Sequence, residues 1–195
     1  MRPFLLCLLG LVLTSVLAVV PAVVPTVVPA TTLEYPSNYA KNLVQYAVSE
    51  RPDGIVRKMY VSHSALEALG KGATLPIGTL LVIEEFEGKR LGKALARDLE
   101  GHLIPDKLKP NLDVRRKVAN KPRDFENWQN ERFDAGTGVK LSTNLADCWI
   151  CHQSAEKADF TFTLPALRAY LSSGKLERHD CNLPERQLCA HDFDF

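Results

Sequence analysis

Cys148-Trp149-Ile150-Cys151-His152 places two thiols three positions apart and an imidazole directly after the second. That is the attachment pattern of c-type haem. On a helical turn, positions 148 and 151 are i,i+3 neighbours on one face, so both sulfurs can reach the two vinyl groups of one porphyrin. His152 would then offer the iron an axial nitrogen, leaving the opposite side for a ligand, a substrate or a second axial group. The spacing also serves a thioredoxin-like dithiol, half of a zinc site, or ordinary paired or buried cysteines. A redox dithiol normally sits between a strand and a helix of an alternating β/α pattern, and no such alternation surrounds residues 148–151. A second constellation lies in the tail, where His179-Asp180-Cys181 is mirrored by Cys189-Ala190-His191 with seven residues between the cysteines. A Cys181–Cys189 disulfide is the leading reading in an oxidising compartment, and a zinc site of two histidines and two thiolates is the sharper alternative.

The elements that position these residues belong to a chain of 195 residues, 46% hydrophobic and 24% charged, long enough to bury one core and carry tails. Lys and Arg number 24 against 23 Asp and Glu, so no charge excess argues for nucleic acid or an anionic membrane surface. Arg2 precedes an apolar run from Phe4 to Val20, the pattern of a secretory signal, which makes the mature protein periplasmic or otherwise exported. Residues 1–22 are assigned to that signal, with cleavage between 18 and 30. Prolines at 21, 25 and 29 break any helix of spanning length and so argue against an uncleaved anchor. Cys7 leaves with the signal, and four cysteines remain. Residues 23–36 read as a proline-spaced leader, 37–175 as the folded domain and 176–195 as the tail.

Within the domain, Leu43, Val44, Ala47 and Val48 recur at helical spacing and predict a short helix over 38–48 with Ser37 as N-cap. Ile55 to Val61 reads as a strand with Arg57, Met59 and Val61 on one face; Ser64 to Leu69 reads as a helical turn and Thr79 to Phe86 as the best strand in the chain. The stretch 88–122 is more polar, and its cluster of Arg115, Arg116 and Lys117 reads as a solvated face in preference to a docking patch for an electron-transfer partner. Phe125, Trp128 and Phe133 read as core aromatics and Gly136-Thr137-Gly138 as a turn. Phe160-Thr161-Phe162-Thr163 looks extended and Pro165 to Leu171 helical.

The run Cys148-Trp149-Ile150-Cys151-His152-Gln153, with Ala155, Lys157, Asp159 and Phe162-Thr163 after it, resembles the haem-binding signature of the cytochrome P-460 family. Tyr39, Arg57 and Tyr60, Gly78-Thr79 before Val82 and Glu84, and Asn127-Trp128 follow in the order of that family, so the resemblance spans roughly residues 35–175. It implies a mainly antiparallel β-fold (α+β) with a few short helices, a homodimer, and one haem c per chain. Cys148 and Cys151 match the thioether cysteines, His152 the proximal iron ligand, and Arg57 an arginine over the distal side. Cytochromes P-460 proper oxidise hydroxylamine and carry a lysine–porphyrin bond; their relatives, the cytochromes c′-beta, lack it and bind nitric oxide and other diatomic ligands.

This chain departs from the lysine-linked members at Ile83, which stands where they carry lysine, directly before Glu84. Isoleucine offers no nucleophile, proton or hydrogen bond. It makes an apolar distal wall that suits a neutral diatomic, while Arg57 could hydrogen-bond a bound ligand or polarise a peroxide. The leading expectation is therefore an exported haem protein, open on its distal side to nitric oxide or a related nitrogen ligand, with weak peroxidase activity as a candidate side reaction. The alternatives are a hydroxylamine-oxidising cytochrome P-460 and a six-coordinate electron carrier whose sixth ligand is Met59, His63, His102, His179 or His191. Export and the even cysteine count yield a prediction for the tail. Thiol labelling of non-reduced, metal-free protein is expected to leave Cys181 and Cys189 unmodified, and the bridge is expected to add about 2 to 3 kcal/mol of stability.

Overall fold

The computed structural model describes residues 32–72, 74–119, 127–142 and 145–181. Helix α1 (Tyr39–Asn42) leads directly into strand β1 (Val44–Glu50). The chain reverses through a turn in which Asp53 Oδ1 accepts from the Ile55 N–H at 3.2 Å, and returns as β2 (Ile55–Val61). Helix α2 (His63–Gly70) carries it to β3 (Leu80–Gly88). Gly88 donates its N–H to the Gly54 carbonyl at 2.8 Å, and a Cβ at 88 would meet that oxygen at 2.7 Å, so the backbone approach there requires glycine. A two-stranded ribbon of β4 (Arg90–Leu91) and β5 (Ala94–Leu95) precedes β6 (Pro105–Lys117) and β7 (Trp128–Asp134). Helices α3 (Leu145–Gln153) and α4 (Leu164–Ser173) and strand β8 (Glu177–Asp180) complete the described chain.

Six strands form one sheet in the order β7-β6-β3-β2-β1-β8. Neighbours are antiparallel except β8, which runs parallel to β1 at the edge. The fold is thus mainly β with a few short helices, as expected. Among the described residues no helix is long and apolar enough to cross a membrane.

Strand parity divides the side chains between two faces. The register aligns Val61, Leu81, Arg115 and Asn130 in one row, and Met59, Ile83, Asp113 and Arg132 in the next. On this face Met59, Val61, Leu81 and Trp128 pack with Leu66 and Leu69 of α2 and Leu164 and Leu167 of α4. The opposite face buries Tyr60, Val82, Leu112, Val114 and Phe133 with Tyr39 of α1. Leu33 and Tyr35, assigned above to the leader, pack into this second cluster, and the tail assigned from 176 onward supplies β8.

Three sequence expectations are corrected. The helix placed over 38–48 stops at Asn42, because Val44, Tyr46 and Val48 enter a sheet in which β1 pairs with both β2 and β8, and this pairing overrides a weak helical period. Residues 160–163 form tight turns, with Phe160 at φ +55°, rather than an extended run. The basic cluster is not a solvated face: Arg115 and Lys117 point inward and are only 7% and 3% exposed. Trp128 and Phe133 are core aromatics as read, and Phe125 lies outside the described residues.

Glu84 is the main polar group of the second cluster's face. Its carboxylate accepts from the Tyr39 and Tyr60 hydroxyls, each at 2.5 Å, with Lys58 Nζ 3.9 Å away. Burial first, and the adjacent carboxylate second, push both phenols well above their ordinary range, so they remain donors at physiological pH. Removing one donor leaves a buried carboxylate under-satisfied. Tyr60→Phe is therefore expected to lower stability by about 2 kcal/mol, read as a lower urea midpoint at unchanged slope.

Candidate haem centre

The attachment motif occupies α3, where Cys148 and Cys151 stand one turn apart, both half-buried. Trp149 packs against the core beneath the helix while Ile150 is 56% exposed, so the helix is seated on one side only. After Gln153 the chain tightens through a 3-10 turn (Glu156–Ala158) and enters two successive left-handed residues, Asp159 and Phe160, both at φ +55°. Each costs on the order of 1 kcal/mol for a residue with a side chain, so tertiary contacts must hold them. Lys117 Nζ donates to Asp159 Oδ2 at 2.6 Å, Trp128 Nε1 donates to the Asp159 carbonyl at 3.0 Å, and the Phe160 N–H closes back on the Ala155 carbonyl at 2.9 Å.

The turn aims the Phe160 carbonyl at the histidine of the motif. His152 Nδ1 lies 2.8 Å from that oxygen, and Arg115 Nη1 donates to the same oxygen at 2.7 Å while lying 3.0 Å from Nδ1. Nδ1 cannot both donate to the carbonyl and accept from the guanidinium. An Nδ1–H tautomer satisfies the carbonyl and frees the Nε2 lone pair, which is the form an iron ligand needs. Arg115 is steadied by donating Nε–H to Asn130 Oδ1 at 2.6 Å and by lying over the Trp128 ring at 4.7 Å. Burial pulls its guanidinium down to about 9, against the opposing influence of Cys148 and Asp159. Burial raises the Cys151 thiol, and Arg115 opposes that shift.

These residues fit haem c. Two thiols on one helix face could take the vinyl groups, and His152 could offer Nε2 to the iron. Arg115 Nη2 and Asn130 Nδ2 remain buried without a hydrogen-bond partner beside the histidine, and a group bearing acceptors, such as a haem propionate, would complete them.

Arg57 and Ile83, the expected distal residues, share the sheet face that carries Arg115. Arg57 Nε donates to Glu85 Oε1 at 2.7 Å. In the next row Ile83 lies opposite Asp113, whose carboxylate receives Arg132 Nε at 2.6 Å and Nη2 at 3.1 Å, so the isoleucine separates two ion pairs. Its side chain packs against the first core cluster. Of the residues weighed as sixth ligands, Met59 is buried in that cluster, and His63 opens α2. His102 Nδ1 is 2.9 Å from Glu50 Oε1, and Glu50 faces away from the motif. His179 lies on β8, where burial lowers its imidazole despite Glu177.

His191 and Cys189 lie outside the described residues, and Cys181 is disulfide-bonded. Among the described residues no group of three or more His, Cys, Asp or Glu side chains is placed to hold a metal ion.

Sequence reasoning missed Arg115, Lys117 and Asn130. The one available signal was parity: in a strand, Arg115 and Lys117 must share a face that Val114 and Arg116 do not.

A helix that carries the haem c attachment motif, with its histidine oriented by a backbone carbonyl and set against one face of a mainly β sheet, fits a haem cytochrome built on a sheet. The cytochrome P460 family model matches residues 36–163, and the chain belongs to that family. Membership implies a haem cofactor and accounts for the motif on α3. No curated protein matches the chain.

The Lys117–Asp159 pair yields a stability prediction, because removing one charge strands the other in a buried position. Asp159→Asn is expected to destabilise the protein by about 3 kcal/mol in denaturant unfolding, far more than a surface ion pair would cost.

Proposed function

We propose that this protein is an exported mono-haem c cytochrome whose distal side binds nitric oxide or a related small nitrogen ligand, without a lysine–haem crosslink. The observation that carries the reading is Ile83, an apolar side chain on the face that bears Arg115, at the position where lysine-linked members of the family hold their nucleophile. The two lysines nearest in register are otherwise engaged: Lys58 lies toward Glu84 on the opposite face, and Lys117 is bound to Asp159. Bound at this site, haem c would supply an iron able to take a neutral ligand.

The chain's own groups divide the remaining work. Cys148 and Cys151 would hold the macrocycle against α3, each by adding its S–H bond across one vinyl group. The Phe160 carbonyl holds the Nδ1 proton of His152 and thereby keeps Nε2 as the donor. Ile83 removes a hydrogen-bond partner that would retain water. Arg57, held by Glu85 through Nε among the described residues, keeps its terminal N–H groups for a bound ligand.

Intact-mass and peptide mapping of the mature protein should find one haem on the peptide containing Cys148 and Cys151, with no lysine-bearing crosslink. Nitric oxide should shift the absorption spectrum, hydroxylamine turnover should be weak, and Arg57→Leu should speed ligand loss roughly tenfold, the worth of one hydrogen bond of about 1.4 kcal/mol. A crosslinked lysine peptide together with hydroxylamine turnover would return the protein to the oxidase branch. A low-spin, ligand-inert spectrum would make it an electron carrier.

A further inference from the structure

We infer that Arg115 is a positioning residue that sets the donor strength of His152 through the shared Phe160 carbonyl; the inference rests on haem c being attached as proposed above. Three observations carry it. Arg115 Nη1 and His152 Nδ1 converge on one oxygen at 2.7 and 2.8 Å, and Nη1 is itself 3.0 Å from Nδ1. The guanidinium is almost fully buried, so water screens it little. Among the described residues it forms no ion pair, since the nearby Asp159 carboxylate receives Lys117.

The direction of the effect follows from these contacts. A histidine whose Nδ1–H faces a carboxylate gains electron density and becomes a stronger donor to a metal. Here the acceptor is a neutral carbonyl already polarised by a cation. It withdraws less strongly on the Nδ1 proton, and the guanidinium also draws density from the imidazole directly. His152 is thereby held as a weak donor. A weak proximal donor and a buried cation beside it both favour the ferrous state, which binds a neutral diatomic best. Asn130 supports this by fixing Nε at 2.6 Å, and Trp128 by stacking beneath the guanidinium, so the cation cannot swing away from the carbonyl.

A purely structural strut between α3 and the sheet would affect folding but not the iron's electronics, and the test separates the two. Haem-loaded wild type, Arg115→Gln, Arg115→Lys and Asn130→Ala are compared by resonance Raman in the ferrous state and by redox titration. Arg115→Gln should raise the iron–histidine stretching frequency. It should also lower the ferrous-to-ferric ratio at fixed ambient potential by about tenfold, equivalent to about 59 mV for one electron. Arg115→Lys keeps the charge but cannot span both Asn130 and Phe160, and Asn130→Ala loosens the guanidinium; each should shift the stretch in the same direction by less.

An unchanged stretch and ratio in folded, haem-loaded Arg115→Gln would overturn the inference. Should that variant not fold, an unchanged stretch in both milder variants would do the same. Absence of a pyridine haemochrome of the c type from wild type would instead remove the haem reading on which the inference stands.

Discussion

One carbonyl oxygen governs the arrangement at α3. The Phe160 carbonyl receives Arg115 and His152 together, and it can do so only because Asp159 and Phe160 both adopt left-handed backbone. That conformation is unfavourable for residues with side chains, and it persists because the surrounding contacts over-determine it. Lys117 fixes the Asp159 carboxylate, the Trp128 indole fixes its carbonyl, and Ala155 closes the turn. Helix α3 shares only part of its surface with the core, so the orientation of its histidine depends on this turn more than on packing of the helix itself.

The sheet is built to bear that arrangement. Its inner face is apolar where α2 and α4 cover it and becomes charged within one or two rows: Val61 and Leu81 give way to Met59 and Ile83, then to Arg57 and Glu85. Along β6 and β7 the same face carries Arg115, Asn130, Asp113 and Arg132. Such a face is costly in a simple core, where each inward charge requires a partner. Most find one within the sheet; Arg115 Nη2 and Asn130 Nδ2 do not, and neither do Ser49 Oγ and His179 Nε2 farther along the same face.

The opposite face performs the ordinary work of stability. Leu112 and Val114 are fully buried there, Tyr39 meets Tyr60 edge-on at 5.5 Å, and Glu84 ties both phenols to β3. Glu84 and Ile83 are consecutive residues on opposite faces: the first secures the frame from behind, and the second packs against the first core cluster in front. A strand delivers both because its side chains alternate.

What the sequence determined by itself is local. The i,i+3 spacing of Cys148 and Cys151 and the adjacency of His152 put two thiols and an imidazole on one helical turn, the pattern of a haem c attachment motif, because one turn contains the whole geometry. Strands β2 and β3 were legible from runs of β-branched residues, helix α4 from its periodicity, and Trp128 and Phe133 as core from their size. The parity of β2 also placed Arg57 correctly beside Met59 and Val61. Tertiary structure alone decided the rest. Arg115 and Lys117 read as surface because sequence carries no sign of what covers a strand's face; α3 and the turn after it cover this one. Residues 44–48 fit a helix until the neighbouring strands supplied backbone partners along both edges. Phe160-Thr161-Phe162-Thr163 looks extended in sequence, whereas long-range contacts of Trp128 and Lys117 with Asp159 and of Arg115 with Phe160 hold the left-handed turn.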